Sequence, residues 1–106
     1  MPFTIYMATC PEGRNYVGCT RKTAEARWAG HFRAIARSVS EPTNISEAIA
    51  KFGRDAFTLR VLAVADNAED AAAIETMMIE RYGALRPRGY NWMGTSHYAT
   101  ARWKAA

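Results

Sequence analysis

The segment from Asp66 to Tyr82 has the pattern of an amphipathic helix with a carboxylate in the middle of its apolar face. At about 100° per residue, Glu75 falls inside a stripe of small and apolar side chains: Ala71, Ala72, Ile74, Met78, Ile79 and Tyr82. An ionised carboxylate buried without a partner costs on the order of several kcal/mol. The pattern therefore predicts a cationic partner for Glu75. The alternative is a place at the edge of a groove, with the carboxylate in water or against a structural arginine.

A β-hairpin is predicted at the start of the chain. Residues 3–8 alternate between two unlike faces, as a strand does. The tetrapeptide Cys10-Pro11-Glu12-Gly13 fits a β-turn, because proline presets φ at the second position and glycine suits the fourth. Residues 15–20 are therefore expected to fold back as an antiparallel strand, which places Tyr6 and Tyr16 on one face if the register permits.

A helix is predicted to begin after Thr23 and to end at about residue 37. Its apolar stripe consists of Ala24, Trp28, Phe32 and Ile35. Arg27 and His31 are one turn apart on one flank of that stripe, whereas Arg33 points towards solvent with Arg37. The helix thus sorts its basic residues by face.

A short helix and a third strand are predicted next. Asn44 with Glu47 resembles a capping box, and Gly53 is expected to end the helix. Residues 56–64 alternate as a strand, with four side chains expected on one side: Phe57, Leu59, Val61 and Ala63. The fold class predicted is α+β, a small three-stranded antiparallel sheet flanked by helices, with residues 1–92 as the domain. Residues 93–106 are expected to be a tail, either a short helix or a frayed end.

Length and composition set limits on the function. The chain of 106 residues suits one domain, and its net charge of +4 is compatible with a polyanionic partner. No apolar run reaches the roughly 20 residues of a membrane span, so a soluble, intracellular protein without a membrane partner is expected. Cys10 and Cys19 are expected to be free thiols without a role in chemistry.

Several short motifs, in this order, resemble the GIY-YIG nuclease domain over nearly the whole chain. They are Ile5-Tyr6, Tyr16-Val17-Gly18, Arg27 with His31, Glu75 and Tyr90-Asn91. The closest resemblance is to the catalytic domains of homing endonucleases of this family, through Arg27-Trp28, Phe52-Gly53 and Gly89-Tyr90-Asn91. Thr4 stands where the family name has glycine, and this change is expected to alter local packing and to leave the Tyr6 hydroxyl in place.

The resemblance implies hydrolysis of a DNA phosphodiester with one divalent metal ion, Mg²⁺ or Mn²⁺, held by Glu75 alone. It implies that Arg27 holds the scissile phosphate and that His31 relays a proton. Tyr6 would activate or orient the attacking water, and Tyr16 would position that water or the phosphate. A phenol is about three pKa units from acting as a base at pH 7, so its neighbours have to favour the phenolate.

The other implied residues are supporting ones. Asn91 is expected to fix Glu75 or a backbone segment by hydrogen bonds. Phosphate contacts are expected from basic residues outside the centre of the site: Lys22, Arg33, Arg86 and Arg88. Homing enzymes usually attach a separate DNA-recognition domain, which leaves three alternatives for this chain: low specificity, specificity supplied by a separate protein or domain, or a contribution from the short tail. Oligomeric state and sequence preference are left open.

Two other functions remain open. One is a DNA-binding module of the same fold without catalysis, and the other is a structural or assembly domain whose charge is incidental. Individually, tyrosines in a sheet and a histidine on a helix flank are more often structural than catalytic. The coincidence of six such positions in one basic domain favours the nuclease.

Overall fold

The computed structural model describes residues 2–30, 40–92 and 94. Within these residues the chain forms β-strands and α-helices in the order β1, β2, α1, α2, β3 and α3, with a 3-10 turn before β3. Their bounds are Phe3–Thr9, Asn15–Thr20, Ala24–Gly30, Ile45–Phe52, Thr58–Ala65 and Ala68–Arg81, and the turn is Arg54–Ala56. The predicted α+β architecture with a three-stranded antiparallel sheet is confirmed.

Strand β1 is the centre of the sheet, whose strand order is β2-β1-β3. One face of β1 presents Phe3, Ile5 and Met7 to a core cluster that includes residues of α3. The other face presents Tyr6 and Ala8 to a second cluster that includes residues of α1 and α2. The two unlike faces predicted for this strand are therefore both buried, because helices cover both sides of the sheet.

The hairpin between β1 and β2 forms as predicted. The N–H of Gly13 donates to the carbonyl of Cys10 at 2.9 Å, and Gly13 has φ 84°, which favours glycine. The register pairs Tyr6 with Gly18 and Ala8 with Tyr16. Since residues two apart in one strand lie on the same face, this register puts both tyrosines on one side of the sheet.

Strand β3 differs from its predicted pattern. Ile5 pairs with Ala63 but Tyr6 pairs with Val61, so Leu62 is an extra residue opposite β1. The expectation that Phe57, Leu59, Val61 and Ala63 share one side is therefore wrong. The bulge switches the faces: Leu59 packs on the cluster with Tyr6, Ala63 packs on the cluster with Ile5, and Val61 is 52% exposed.

The N-termini of α1 and α2 are capped by side chains. The hydroxyl of Thr23 accepts from the N–H of Ala26 at 3.1 Å, and Asn44 Oδ1 accepts from the N–H of Glu47 at 2.9 Å. The Glu47 carboxylate accepts from the N–H of Thr43, one residue earlier than a capping box requires. The predicted end of α1 near residue 37 lies outside the described residues, as do His31 and Arg33.

Helix α3 begins after Asn67, whose side chain accepts from the N–H of Asp70 at 2.8 Å. Its inward face follows the predicted stripe, with Ala71, Ala72 and Ile79 buried. Glu75 lies among them and is only 6% exposed, so the predicted carboxylate in an apolar face is confirmed.

After α3, residues 83–92 pack against the outer edge of β2, and we call them the closing segment. Leu85 and Asn91 form a parallel bridge within this part of the chain. The predicted tail, residues 93–106, lies outside the described residues except for Gly94. Among the described helices, none has the length and apolar character needed to cross a bilayer.

Candidate active site

Two tyrosine rings lie side by side on the sheet. The centroids of Tyr6 and Tyr16 are 6.4 Å apart and the ring planes are inclined by 57°. Tyr6 is completely buried, whereas Tyr16, on the edge strand, is partly exposed. The pair therefore combines one fully buried tyrosine with one that is partly exposed.

Gly18 makes room for the Tyr6 ring. A Cβ on Gly18 would lie 2.6 Å from both Cζ and Oη of Tyr6. The Tyr6 ring thus requires a glycine at position 18, which is its cross-strand neighbour. The sequence signal for this role was a glycine inside a strand pattern, which often marks a close approach.

The substitution Gly18→Ala is expected to displace the Tyr6 ring and to cost about 1–3 kcal/mol of folding free energy, as overpacking does. Urea denaturation measures this cost. Tyr6→Leu removes the ring, so the double variant should lose less than the sum of the single losses. Additive losses would show that the two residues do not contact each other as described.

Glu75 and Arg27 have opposite effects on the pKa values of the Tyr6 and Tyr16 phenols. Burial is the main cause that raises the pKa of Tyr6. The Tyr16 hydroxyl and the Glu75 carboxylate raise this pKa further, whereas the Arg27 guanidinium lowers it. Burial and then Glu75 raise the pKa of Tyr16, while Arg27 again lowers it. The structure therefore brings Tyr6, Tyr16, Arg27 and Glu75 into one electrostatic neighbourhood, with Arg27 exposed to solvent.

Cys19 borders the same site. Burial, followed by the neighbouring Glu75 carboxylate, raises the pKa of the Cys19 thiol to about 12. Within the described part of the chain, no group of three or more histidine, cysteine, aspartate or glutamate side chains is arranged to hold a metal ion. Of the protein carboxylates, Glu75 is the one that this neighbourhood contains.

Asn91 contacts the backbone next to the tyrosines. Its Oδ1 accepts from the N–H of Val17 and its Nδ2 donates to the Val17 carbonyl, each at 2.8 Å. The amide thus pairs with β2 as another strand would. Asn91 is predicted to bind either Glu75 or a backbone segment. The hydrogen bonds found here are to the backbone of Val17, between Tyr16 and Gly18.

Asn91→Asp is expected to lower the free energy of unfolding by about 1–3 kcal/mol, because a carboxylate cannot donate to the Val17 carbonyl and leaves it unsatisfied. Asn91→Ala removes both hydrogen bonds and should cost at least as much. Chemical denaturation gives both values. A stability equal to that of the wild type in both variants would contradict the paired geometry.

A residue that the sequence did not single out, Asn15, joins three segments. Its Oδ1 accepts from the Thr9 hydroxyl at 2.7 Å, and its Nδ2 donates to the Tyr82 carbonyl at 3.0 Å. Its backbone carbonyl accepts from the N–H of Tyr90 at 2.9 Å. Asn15 therefore ties the end of α3 and the closing segment to the hairpin, and no local pattern announces such long-range bonds.

Tyr90 anchors the closing segment in the core. It is 1% exposed, and its hydroxyl donates to Cys10 Sγ at 3.4 Å. The Arg14 guanidinium lies over its ring, 4.8 Å from the centroid. Burial, with the hydrogen bond to Cys10 as the second cause, raises the pKa of Tyr90 above its usual value.

This pKa shift predicts a loss of stability in alkali. An unfolded tyrosine ionises near pH 10 but buried Tyr90 does not, so above pH 10 ionisation favours the unfolded chain by up to about 1.4 kcal/mol per pH unit. Tyr90→Phe removes this term. Urea denaturation between pH 8 and 11, with chelator, should show a shallower decline for Tyr90→Phe than for the wild type. Parallel declines would contradict the prediction.

The predicted phosphate-binding residues lie at separate places. Lys22 is exposed just after β2, and Arg88 is exposed in the closing segment. Arg86 is partly buried, with its guanidinium carbon 3.7 Å from the centroid of the Trp92 ring. Hydrogen bonds from Thr43 are the main cause that lowers the pKa of the Glu47 carboxyl, and the Arg86 charge lowers this pKa further.

Comparison with known proteins gives one result that bears on this arrangement. A family model described as the GIY-YIG catalytic domain matches residues 2–91. No curated protein and no solved structure matches the chain. The matched range contains both strands of the tyrosine hairpin, the Glu75 helix and Asn91. The chain therefore belongs to the GIY-YIG family, whose domains are nucleases.

Proposed function

We propose that this protein is a DNA endonuclease that hydrolyses phosphodiester bonds with one divalent metal ion held by Glu75. The observation that carries the proposal is the position of the Glu75 carboxylate, which is 6% exposed and adjoins two phenols. A buried carboxylate that shifts the pKa values of two neighbouring phenols is the kind of electrostatic cluster that occurs at functional sites.

The donor chemistry of this neighbourhood fits Mg²⁺ or Mn²⁺. Glu75 offers hard carboxylate oxygens, and Mg²⁺ keeps several waters and needs only one or two protein carboxylates beside the substrate phosphate. When bound, such an ion would supply a Lewis acid that neutralises charge on the phosphate. Glu75 is the residue that would hold it.

The remaining roles belong to residues around Glu75. Arg27, being exposed, would donate to two oxygens of the scissile phosphate through its planar guanidinium and stabilise the charge that develops. Because burial, Tyr16 and Glu75 raise the pKa of Tyr6, its protonated hydroxyl would orient the attacking water and would not act as a base. Tyr16 would position that water or the phosphate. His31 is proposed to relay the proton.

Asn91 is proposed to act on the site through the backbone. By pairing with both polar groups of Val17, it would hold the β2 segment that carries Tyr16. In this role it touches neither substrate nor metal.

The homing-endonuclease subtype is part of this proposal. It rests on the resemblance of three motifs to that subtype: Arg27-Trp28, Phe52-Gly53 and Gly89-Tyr90-Asn91. Lys22, Arg33, Arg86 and Arg88 would contact phosphates, which carry no sequence information. Sequence preference would then come from a separate protein or domain.

Nicking of a supercoiled plasmid tests the proposal. The purified protein is expected to convert supercoiled to open-circular DNA with Mg²⁺ or Mn²⁺ and to stop when chelator is added. DNA binding without any nicking would favour the catalytically silent module instead. Absence of both nicking and binding would favour a structural or assembly domain.

A further inference from the structure

The residues around Trp92 form an exposed aromatic surface. Trp92 is 64% exposed and Leu85 is 41% exposed, and these residues line an open groove with Arg86 and Pro87. We call these four residues the Trp92 surface. An apolar groove bordered by charged side chains is one of the features of a ligand-binding surface.

The Trp92 ring is held in place on one side. The guanidinium carbon of Arg86 lies 3.7 Å from the ring centroid, so a planar cation covers one face of the indole. The N–H of Arg86 donates to the Asn91 carbonyl at 2.9 Å, and the bridge between Leu85 and Asn91 fixes the neighbouring backbone. The stack of Arg86 on Trp92 is therefore formed without a ligand.

Chain connectivity puts this surface beside the site. Trp92 directly follows Asn91, whose side chain is bonded to Val17, between Tyr16 and Gly18. Consecutive Cα atoms are about 3.8 Å apart. A nucleic-acid strand whose phosphate lies at the tyrosines would thus reach Trp92 within a few nucleotides.

The chemistry of the surface favours one class of ligand. A planar indole backed by a guanidinium stacks well on the face of a nucleobase, and the groove is next to exposed Arg88 in a chain of net charge +4. In a continuous duplex, neighbouring base pairs cover each other's faces. An unpaired base can therefore stack on Trp92, whereas a base pair in the interior of a duplex cannot.

We propose that the Trp92 surface binds an unpaired nucleobase beside the scissile phosphate, so that the preferred substrate is DNA with a short single-stranded stretch. This proposal rests on the proposed nuclease function for its biological meaning. Its binding step does not require cleavage, and the two can therefore be tested separately.

Fluorescence anisotropy with chelator present tests the binding step. The probes are two labelled DNAs of one sequence, a continuous duplex and the same duplex with a gap of a few nucleotides. The wild type is expected to bind the gapped DNA more tightly. Trp92→Ala should lose roughly 5- to 150-fold in affinity for it, the range for one stacked base, whereas Trp92→Phe should keep most of the affinity.

Val64→Ala is the matched control, because Val64 is 59% exposed on β3, outside this surface. It should leave both affinities unchanged. Equal wild-type affinity for the two DNAs, or an equal loss on both for Trp92→Ala, would overturn the proposal. So would an unchanged affinity of Trp92→Ala for the gapped DNA. Plasmid nicking by the wild type in the same preparation reports on the nuclease function independently.

Discussion

Glu75→Gln is expected to reduce metal-dependent nicking to the level seen with chelator while the protein stays folded. The amide has the shape of the carboxylate but no negative charge, so it is a poor ligand for Mg²⁺ or Mn²⁺. The variant should also lose the binding of Mn²⁺ that paramagnetic relaxation of water detects in the wild type. Calorimetric melting should still show a cooperative unfolding transition, because glutamine has nearly the same volume and shape as glutamate.

Glu80→Gln is the matched control for this experiment. Glu80 lies on the same helix but is exposed, so the substitution removes one charge without touching the site. It is expected to nick at the wild-type rate. If Glu75→Gln instead unfolded while wild-type nicking were independent of metal, Glu75 would be a structural ion-pair partner and the proposed function would fail.

Arg27→Ala is expected to lower the cleavage rate by about 10²- to 10³-fold, the usual effect of losing one donor to a developing oxyanion. Arg27→Lys should be nearly as inactive, because an ammonium keeps the charge but cannot make a planar two-point contact with phosphate. Single-turnover cleavage of an end-labelled duplex measures both rates.

Arg60→Ala controls for the loss of general charge, because Arg60 is exposed on β3 and lies outside the tyrosine neighbourhood. Its rate should fall little compared with that of Arg27→Ala. A near-wild-type rate for Arg27→Lys would rule out the two-point contact. Equal losses of rate for Arg27→Ala and Arg60→Ala would show that Arg27 contributes only non-specific charge.

Local patterns predicted much of this fold. The turn at Gly13, the caps at Thr23 and Asn44, and the helix stripe around Glu75 depend on a few neighbouring residues, so the sequence displays them directly. The two-residue period of the strands also put Tyr6 and Tyr16 on one face, once the turn set the register that the sequence left open.

Features that depend on distant contacts were not predictable in this way. The bulge at Leu62 follows from how β3 pairs with β1, and it changes which side chains of β3 face the Tyr6 cluster. The pairing of Asn91 with Val17 joins residues 74 positions apart, so no window along the chain shows it. The exposure of Trp92 was not predictable from the sequence either, because exposure of a single aromatic residue is a property of the folded surface.

The measurement that tests the central claim most directly is the initial nicking rate as a function of Mg²⁺ concentration. One ion held by Glu75 predicts a hyperbolic curve with a Hill coefficient of about one, which chelator returns to background. Glu75→Gln should give a flat line at that background over the same concentrations. A rate that ignores Mg²⁺, a cooperative curve that requires two ions, or a Glu75→Gln curve that follows the wild type would contradict the account.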